Sequence, residues 1–341
     1  MFIETPISQA SRLPGQFRDW KIVNSESFRK LDDLLEYCEI DRLQTGSTKP
    51  REFATRVTRY FASLIEKGNP LDPLLLQVLP TAYELKYVDG YSKDAVGDSQ
   101  SMPVPGLIHK YHGRALLTLT GACAIHCRYC FRRHFPYGEA NVDYGPDGPV
   151  MKYLSAHEEV NEVILSGGDP LMLSDQKLAK LIANLNRIPH IHILRIHSRI
   201  LSVLPERVTE AFIDTINQFA GQVVFVTHIN HPNEISGHNQ AAFHRLSQQG
   251  YGLFNQSVLL KRVNDSAQTL ADLSSRLYES RIVPYYLHCL DKVEGAAHFD
   301  LPRKEACAIY KELRSRLPGY LLPLMVEEIP GKLSKTPVPC D

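Results

Sequence analysis

The amino-acid sequence predicts an α/β protein whose main part is a partial barrel of parallel strands, a (β/α)6 fold. The first observation behind this prediction is that six apolar, β-prone runs lie between residues 115 and 288, with helical runs among them. Such alternation is typical of parallel strands joined by right-handed crossovers. The second is the number of strands, because six fit an open barrel better than the closed eightfold barrel. In either barrel, ligands bind at the carboxyl ends of the strands.

The predicted elements of the barrel follow from these runs. Strands are expected at residues 115–120, 162–166, 192–197, 222–227, 253–260 and 283–288. Helices are expected at residues 174–186, 209–219, 240–249 and 269–279. Each helix would cross from one strand end to the start of the next strand.

The first hundred residues are predicted to form a helical extension. Apolar residues recur at helical spacing in residues 25–37 and 51–65, and residues 72–80 begin with Asp-Pro and end with Pro, which are start and stop signals. The polar, glycine-containing residues 89–98 predict a surface loop. The expected domains are a helical extension (1–100), a barrel core (101–300) and a C-terminal segment (301–341).

Composition limits the classes of partner. Lys+Arg and Asp+Glu number 38 each in 341 residues, so nothing suggests a nucleic-acid or acidic-membrane partner. The sequence has no long apolar run that could span a membrane, and residues 1–7 lack the pattern of a signal peptide. We therefore expect a soluble, cytoplasmic protein that binds neither nucleic acid nor a membrane.

Four of the seven cysteines are scattered along the chain. The odd total and their spacing do not predict a disulfide framework. We expect each of these four to be a small packed residue or a residue without a role, rather than a ligand: Cys38, Cys289, Cys307 and Cys340.

The other three cysteines form a C-x3-C-x2-C triplet directly after the first predicted strand: Cys123, Cys127 and Cys130. A closed structural zinc or iron–sulfur site takes four protein ligands, whereas three thiolates on a cubane leave one iron open to a small molecule. The spacing resembles the signature of the radical S-adenosylmethionine (SAM) enzymes, in which SAM binds that iron. The alternative is a zinc knuckle completed by His126 or His134.

Two further motifs are weak when taken alone. At the end of the second strand, Ser166-Gly-Gly-Asp169 would let the backbone approach a ligand closely, and Asp169 can face a cation. Near the end of the chain, Lys332 and Lys335 lie in a Gly/Ser/Pro-containing segment. That segment could be an exposed basic tail, but lysine is also the residue that holds pyridoxal 5′-phosphate (PLP) covalently.

Together these motifs resemble those of the lysine 2,3-aminomutase family of radical SAM enzymes. The matching segments include Cys-Arg-Tyr-Cys-Phe-Arg-Arg, Ser-Gly-Gly-Asp-Pro-Leu, Thr-His-Ile-Asn-His-Pro-Asn-Glu and Lys-Thr-Pro-Val, in family order. The resemblance implies a radical SAM partial TIM barrel, followed by a short segment with the PLP lysine. It implies three cofactors, namely a [4Fe–4S] cluster, SAM and PLP. The implied reaction is the isomerisation of (S)-α-lysine to (R)-β-lysine.

The resemblance also implies individual roles. The triplet cysteines would ligate the cluster, and Lys335 would hold PLP. Residues that would grip the PLP phosphate are Tyr111, Arg114 and Gln256, and residues of the SAM-binding region are Ser166, Gly168, Asp169 and His228.

Three residues would bind the substrate. Arg132 matches the arginine that receives the α-carboxylate, a group for which a planar guanidinium fork is well suited. Asp291 and Glu328 match two acids that meet the ε-ammonium of lysine. Glu328 departs from the family, which usually has Asp there, so the choice of lysine is less firmly implied than the reaction.

The chain is most similar to the short bacterial branch that makes β-lysine for the modification of elongation factor P. That resemblance implies a functional link to the elongation factor P lysyl-ligase and an electron donor such as flavodoxin or ferredoxin. Two alternatives remain at this point. The chain could be a 2,3-aminomutase for another amino acid, such as glutamate or arginine, or an iron–sulfur protein without catalysis. An electron carrier would need neither Arg132 nor the Lys335 segment.

Overall fold

A mixed sheet of nine strands runs through the part of the chain that the structure describes. The structure is a computed structural model, and it describes residues 18–48, 53–138 and 142–340. Its strands are β1 (Leu107–Tyr111), β2 (Arg114–Thr118), β3 (Glu162–Ser166), β4 (Ile193–Ser198), β5 (Gln222–Thr227), β6 (Gly252–Val258), β7 (Val283–His288), β8 (Leu324–Glu327) and β9 (Thr336–Pro337). Neighbours in the sheet follow chain order, and every pair from β2 to β8 is parallel.

The sheet confirms the predicted partial barrel and its six strands, which are β2 to β7. It also adds β8 as a seventh parallel strand, and β1 and β9 as antiparallel edges. Within the described residues no ladder joins β9 back to β1, so the barrel is open. The sequence pattern does not predict β8 because this strand has only four residues, of which two are buried.

Helices pack around the sheet. They are α1 (Trp20–Ser25), α2 (Leu31–Tyr37), α3 (Arg59–Ser63), α4 (Pro73–Leu76), α5 (Pro149–Ala156), α6 (Asp175–Leu185), α7 (Ile200–Val203), α8 (Glu210–Ile216), α9 (Gly237–Gln248), α10 (Ala267–Glu279) and α11 (Arg303–Arg316). The four predicted barrel helices are α6, α8, α9 and α10. Each of these helices begins after a residue whose side-chain hydroxyl accepts a hydrogen bond from a backbone N–H of the first turn. These residues are Ser174, Thr209, Ser236 and Ser266.

The N-terminal extension is less helical than its apolar spacing predicts. A backbone bridge between Phe28 and Val57 separates α1 from α2 and precedes α3, so the described residues 26–37 and 53–65 each contain one short α-helix and a non-helical stretch. Residues 51 and 52 lie outside the described residues. The third helix begins as predicted, because the carboxylate of Asp72 accepts from the first backbone N–H groups of α4.

The extension and the barrel share one hydrophobic core. Trp20, Leu34 and Phe61 belong to the same buried cluster as Leu165 and Phe225 of the strands. The division of the chain at residues 100 and 300 stays a prediction.

Among the described residues no helix is both long and apolar enough to cross a membrane. The segment examined for a signal peptide, residues 1–7, is outside the described residues.

The polar segment 89–98 is only partly a surface loop. Its first residues are exposed, but Val96 and Asp98 are each only 3% exposed. Ser92 pairs with Val293, which draws the segment against the loop that follows β7. The segment therefore carries a buried carboxylate into the barrel, a feature that composition alone does not indicate.

One pair of the scattered cysteines is bonded. Cys307 on α11 and Cys340 form a disulfide, with Cα atoms 5.1 Å apart, so the expectation that neither takes part in a disulfide is wrong. Pairing of β9 with β8 brings the end of the chain back to α11, a contact that the 33-residue separation does not reveal. Cys38 is a packed core residue, as expected.

We expect the disulfide to stabilise the oxidised protein by about 2–4 kcal/mol, mainly because the cross-link restricts the unfolded chain. Cys307→Ser and Cys340→Ser should each lower the free energy of unfolding by this amount, and the double variant should lose no more. Denaturant titrations with and without a thiol reductant measure it. Cys289→Ser, which leaves the disulfide intact, should keep the response to the reductant. A parent protein that does not respond to the reductant would contradict the assignment.

Candidate active site

A cavity of about 610 Å³ lies inside the open barrel, toward the carboxyl ends of the strands. All the residues that the sequence analysis assigned to a cofactor or substrate line this one cavity. They are Tyr111, Arg114, Cys123, Cys127, Cys130, Arg132, Ser166, Gly168, Asp169, His228, Gln256, Asp291, Glu328 and Lys335. Residues between positions 111 and 335 therefore meet in one place, although their individual roles stay predictions.

The cysteine triplet lies on the loop that follows β2. The loop is anchored to the N-terminal extension, because the backbone N–H of His126 donates to the carbonyl of Arg56 and that of Arg128 donates to the carbonyl of Gln77. The thiols of the triplet are free and partly buried. Burial raises the pKa of Cys123 well above its usual value and that of Cys130 to about 11. Bound metal would reverse this effect, since metals bind the thiolate form.

Each histidine of the zinc alternative has one ring nitrogen next to a backbone carbonyl. The Nδ1 atom of His126 lies 2.8 Å from the carbonyl oxygen of Ala54, and the Nε2 atom of His134 lies 3.2 Å from that of Glu294. In residues 18–48, 53–138 and 142–340, no three His, Cys, Asp or Glu side chains gather around a point that a single metal ion could occupy. Three thiolates suit a cluster, whose irons each take one thiolate, whereas a closed structural zinc site takes four protein ligands.

The Gly-Gly-Asp loop after β3 packs directly on the cysteine loop. The N–H of Gly168 donates to the carbonyl of Thr120, and the N–H of Asp169 donates to that of Ala122 at 2.8 Å. A Cβ atom on Gly168 would lie 2.5 Å from the carbonyl oxygen of Ala122, and Gly167 has a φ of +124°. The glycines are therefore needed for contact between the two loops, whatever ligand they also approach.

Asp169 uses its carboxylate within the protein. It accepts hydrogen bonds from the hydroxyl of Ser198 at 2.8 Å and from the backbone N–H groups of Leu171, Arg199 and Ile200 at 2.8–3.1 Å. Burial nevertheless raises the pKa of Asp169 to about 6. The carboxylate thus ties the end of β3 to the end of β4, a function that the motif alone does not suggest.

Arg132 forms part of a buried chain of charges. Its Nε donates to Asp98 at 2.7 Å, and its Nη1 donates to the hydroxyl of Ser166 at 2.9 Å. The other oxygen of Asp98 pairs with Lys110 at 2.5 Å. Burial opposes ionisation of Asp98, but the nearby Arg132 and Lys110 keep its pKa below the usual value.

Glu328 links that chain to Lys335. Its two oxygens lie 3.1 Å from Nζ of Lys110 and 2.8 Å from Nζ of Lys335. Burial opposes the ionised form, yet the two lysines lower the pKa of Glu328 to about 2. Asp291 lies in the same region but is less well compensated, since burial and the charge of Glu328 raise its pKa to about 7. The two acids therefore differ in charge state at neutral pH.

The residues assigned to the PLP phosphate lie on three strands. The guanidinium of Arg114 stacks 4.7 Å from the ring centre of Tyr111. The side-chain amide of Gln256 contacts Nε2 of His228 at 2.9 Å. Burial lowers the pKa of His228 to about 3, so its imidazole is neutral at physiological pH.

Sequence reasoning missed several residues of this cavity. Asp98 pairs with Arg132, and Lys110 pairs with both Asp98 and Glu328. Arg199 contacts the sulfur of Cys127. His197 and His288 line the cavity at the ends of β4 and β7, and in the described part of the chain their buried Nε2 atoms have no hydrogen-bond partner. Buried polar atoms usually have a hydrogen-bond partner, so these two nitrogens are candidates for contact with a ligand in the cavity. A signal was available for the histidines, because each ends a predicted strand, where barrels bind ligands.

Comparison with known proteins identifies the family. The sequence profile of the Radical SAM superfamily matches residues 117–266. The chain is 47% identical over 323 residues to the L-lysine 2,3-aminomutase of Escherichia coli, which covers 94% of each chain. It is 48% identical over 284 residues to that of Haemophilus influenzae, which covers 83% of this chain and 84% of the relative.

A longer relative is more distant. The L-lysine 2,3-aminomutase of Clostridium subterminale is 35% identical over 327 residues, which is 95% of this chain but 78% of the relative. In extent, too, the chain resembles the short bacterial relatives. Membership of the radical SAM superfamily implies a [4Fe–4S] cluster and SAM, and the cysteine loop described above fits them. The chain belongs to the lysine 2,3-aminomutase family of radical SAM enzymes.

Proposed function

We propose that this protein is an L-lysine 2,3-aminomutase that converts (S)-α-lysine to (R)-β-lysine. The observation that supports this most strongly is the single cavity shared by the cysteine triplet, Arg132, the two acids and Lys335. Relatives that carry the name L-lysine 2,3-aminomutase and match almost the whole chain support the same reaction. An iron–sulfur protein without catalysis would have no need for the buried charges that surround Lys335.

Each cofactor has a set of residues that fits it. Cys123, Cys127 and Cys130 would hold the cluster, and Lys335 would hold PLP. When bound, the cluster and SAM supply one-electron chemistry that can remove an unreactive hydrogen atom, and PLP supplies a covalent anchor for the migrating amino group. The barrel walls would exclude water from these groups. Ser166, Gly168, Asp169 and His228 would shape the SAM region, and Tyr111, Arg114 and Gln256 would bind the PLP phosphate.

Arg132 would bind the α-carboxylate of lysine. Its guanidinium is held in place by Asp98 and Ser166, so its orientation does not have to be created when substrate arrives. Asp98 also balances part of its charge, and a carboxylate arriving from solvent would add a second partner. A bidentate contact of this kind depends on the planar guanidinium fork.

Asp291 and Glu328 would select lysine by its ε-ammonium. An ammonium that enters the barrel loses its hydration, and paired carboxylates can offset that loss. Glu328 is already paired with Lys110 and Lys335, whereas the raised pKa of Asp291 marks a carboxyl that lacks sufficient positive charge nearby. Asp291 is therefore the acid that would gain most from a bound ammonium. This argues against glutamate as the substrate.

We further infer that the protein works in the cytoplasm, receives electrons from flavodoxin or ferredoxin, and supplies β-lysine to the lysyl-ligase of elongation factor P. The relatives support the production of β-lysine, and the link to elongation factor P rests on the resemblance of the sequence motifs. Incubation of the anaerobically reconstituted protein with SAM, PLP, a reductant and one amino acid tests the substrate. SAM cleavage should depend on lysine and not on arginine or glutamate. If SAM cleavage responds more strongly to arginine or glutamate than to lysine, that amino acid and not lysine is the substrate.

Cys127→Ala should prevent assembly of an intact cluster, because one iron would lose its thiolate ligand. Iron content and the brown absorbance of the anaerobically reconstituted protein measure this. Cys289→Ala is the matched control, since Cys289 is a free cysteine outside the cavity lining, and it should retain both. Cleavage of SAM by the Cys127→Ala protein would reject the assignment.

Lys335→Ala should abolish covalent trapping of PLP, because the amine that holds the cofactor is removed. Borohydride reduction followed by peptide mapping measures the trapping. The Lys332→Ala variant is the control and should still be labelled at Lys335, because Lys332 is an exposed lysine three positions before it. Label on Lys332 in the parent protein would show that the wrong lysine had been assigned.

Asp291→Asn should reduce kcat/KM for lysine by about thirtyfold or more, which corresponds to the lower end of the roughly 2–5 kcal/mol for loss of one partner of a buried charge pair. The cluster and PLP contents should be unchanged. Asp214→Asn, on the exposed face of α8, is the matched control and should behave like the parent. Unchanged preference for lysine over norleucine in Asp291→Asn would place specificity elsewhere.

Asp291→Asn should increase the stability of the cofactor-free protein relative to the parent as the pH rises toward 7. The folded-state pKa of Asp291, about 7, exceeds its unfolded value, so the unfolded chain binds fewer protons between these pKa values. The contribution of Asp291 to stability is therefore largest at acid pH and is lost as the pH rises to about 7. Asp291→Asn lacks this loss, so its stability relative to the parent should increase over that pH range. A difference that does not vary with pH would contradict the burial of an ionisable Asp291.

A further inference from the structure

We propose that Arg199 is a positioning residue that raises the reduction potential of the cluster by donating a hydrogen bond to the sulfur of Cys127. The inference rests on the proposed function, because it concerns the cluster that Cys127 would hold. Arg199 directly follows β4 and belongs to none of the sequence motifs. It is 6% exposed, and its side chain lines the cavity beneath the cysteine loop.

The guanidinium of Arg199 reaches the cysteine loop from the end of β4, which β3 separates from β2 in the sheet. Its Nη1 lies 2.6 Å from Sγ of Cys127 and also contacts the hydroxyl of Tyr129. Because an arginine side chain does not lose its proton in a protein, the group that faces the sulfur is a permanent cation. Its charge also contributes, after burial, to the lowered pKa of His228.

Two other contacts stop the guanidinium from turning away. Its Nη2 donates to Oε1 of Gln77 at 2.8 Å and pairs with Oε2 of Glu234 at 3.2 Å. Glu234 is fully buried, and its Oε1 accepts from the backbone N–H groups of Asn230 and His231 at 2.9 and 3.1 Å. The carboxylate is therefore fixed by the backbone, and it holds Arg199 in the direction of the sulfur.

The backbone of Arg199 is fixed as well. Its N–H donates to Oδ2 of Asp169 at 2.8 Å, and the same oxygen accepts from Ile200 at 3.0 Å. Asp169 in turn donates its own N–H to the carbonyl of Ala122 on the cysteine loop. The end of β4, the Gly-Gly-Asp loop and the cysteine loop thus form one hydrogen-bonded unit, in which the distance from Arg199 to Cys127 is set from both sides.

A cation at this place should favour the reduced cluster. Reduction adds an electron whose charge is shared with the cysteine sulfurs, and hydrogen bonds and positive charge at those sulfurs raise the reduction potential. Glu234 lies on the other side of the guanidinium, and its negative charge partly opposes this effect. Arg199 and Glu234 should therefore act on the potential with opposite signs. If the pair only packed the barrel, removal of either residue would loosen the same network and no opposite signs would result.

The test is a redox titration of the anaerobically reconstituted full chain without SAM, followed by electron paramagnetic resonance of the reduced cluster. Arg199→Gln should lower the midpoint potential, with about a tenfold decrease in the equilibrium constant for reduction, or about 59 mV for a one-electron couple. Glu234→Gln should raise it. Arg199→Lys keeps the charge and should fall between the parent and Arg199→Gln.

Arg207→Gln is the matched control. Arg207 is another buried arginine, but it donates to the carbonyl of Leu171 and pairs with Asp175 instead of a thiol. The same substitution there should leave the midpoint potential of the cluster unchanged. A shift equal to that of Arg199→Gln would mean that any buried arginine has this effect, and would overturn the inference.

Other outcomes are equally decisive. Equal potentials in the parent and in Arg199→Gln, each with a full cluster, would overturn the inference, and so would a downward shift in Glu234→Gln. If Arg199→Gln does not retain a full cluster, Glu234→Gln decides, because an unchanged or lowered potential contradicts an electrostatic role. A parent protein that assembles no cluster at all would overturn the proposed function itself.

Discussion

The contact between the cysteine loop and the Gly-Gly-Asp loop is the constraint on which the rest of the cavity depends. Backbone hydrogen bonds from Gly168 and Asp169 join the two loops, and there is no space for a side chain at Gly168. The carboxylate of Asp169 then extends the connection to Ser198 and Arg199. Three consecutive strand ends are therefore held together before any cofactor binds, which is the kind of preorganisation that a cluster site requires.

Buried charge is the second constraint on this protein. Lys110, Asp98 and Arg132 form one chain of ion pairs, and Glu328 connects it to Lys335. Charges inside a barrel are tolerated only when they are paired. These pairs connect the segment 89–98, strand β1, the cysteine loop and the C-terminal segment. The side chain of Glu328 spans the two lysines, with one carboxylate oxygen near each. Of the two acids near Lys335, Asp291 is the poorly compensated one, because burial and the charge of Glu328 raise its pKa.

The sequence predicted those parts of the fold and site that rest on local pattern. Strands β2 to β7 have clear apolar runs, and the residues assigned by motif lie around one cavity. What it missed depends on contacts between distant residues. Asp98 belongs to a polar segment that packs against the loop after β7 and places this carboxylate between Lys110 and Arg132. The bond between Cys307 and Cys340 requires β9, a two-residue strand that has no pattern of its own. Arg199 has no motif, and its contact with Cys127 appears only when β4 lies beside the cysteine loop.

The central claim is that one cavity brings a radical-generating cluster, PLP and lysine together. The most direct measurement is chiral analysis of the product after anaerobic incubation of the reconstituted protein with L-lysine, SAM, PLP and a reductant. The account predicts (R)-β-lysine, formed only when both SAM and PLP are present. Formation of no β-lysine by protein that contains both cofactors, or formation of β-lysine without PLP, would contradict it.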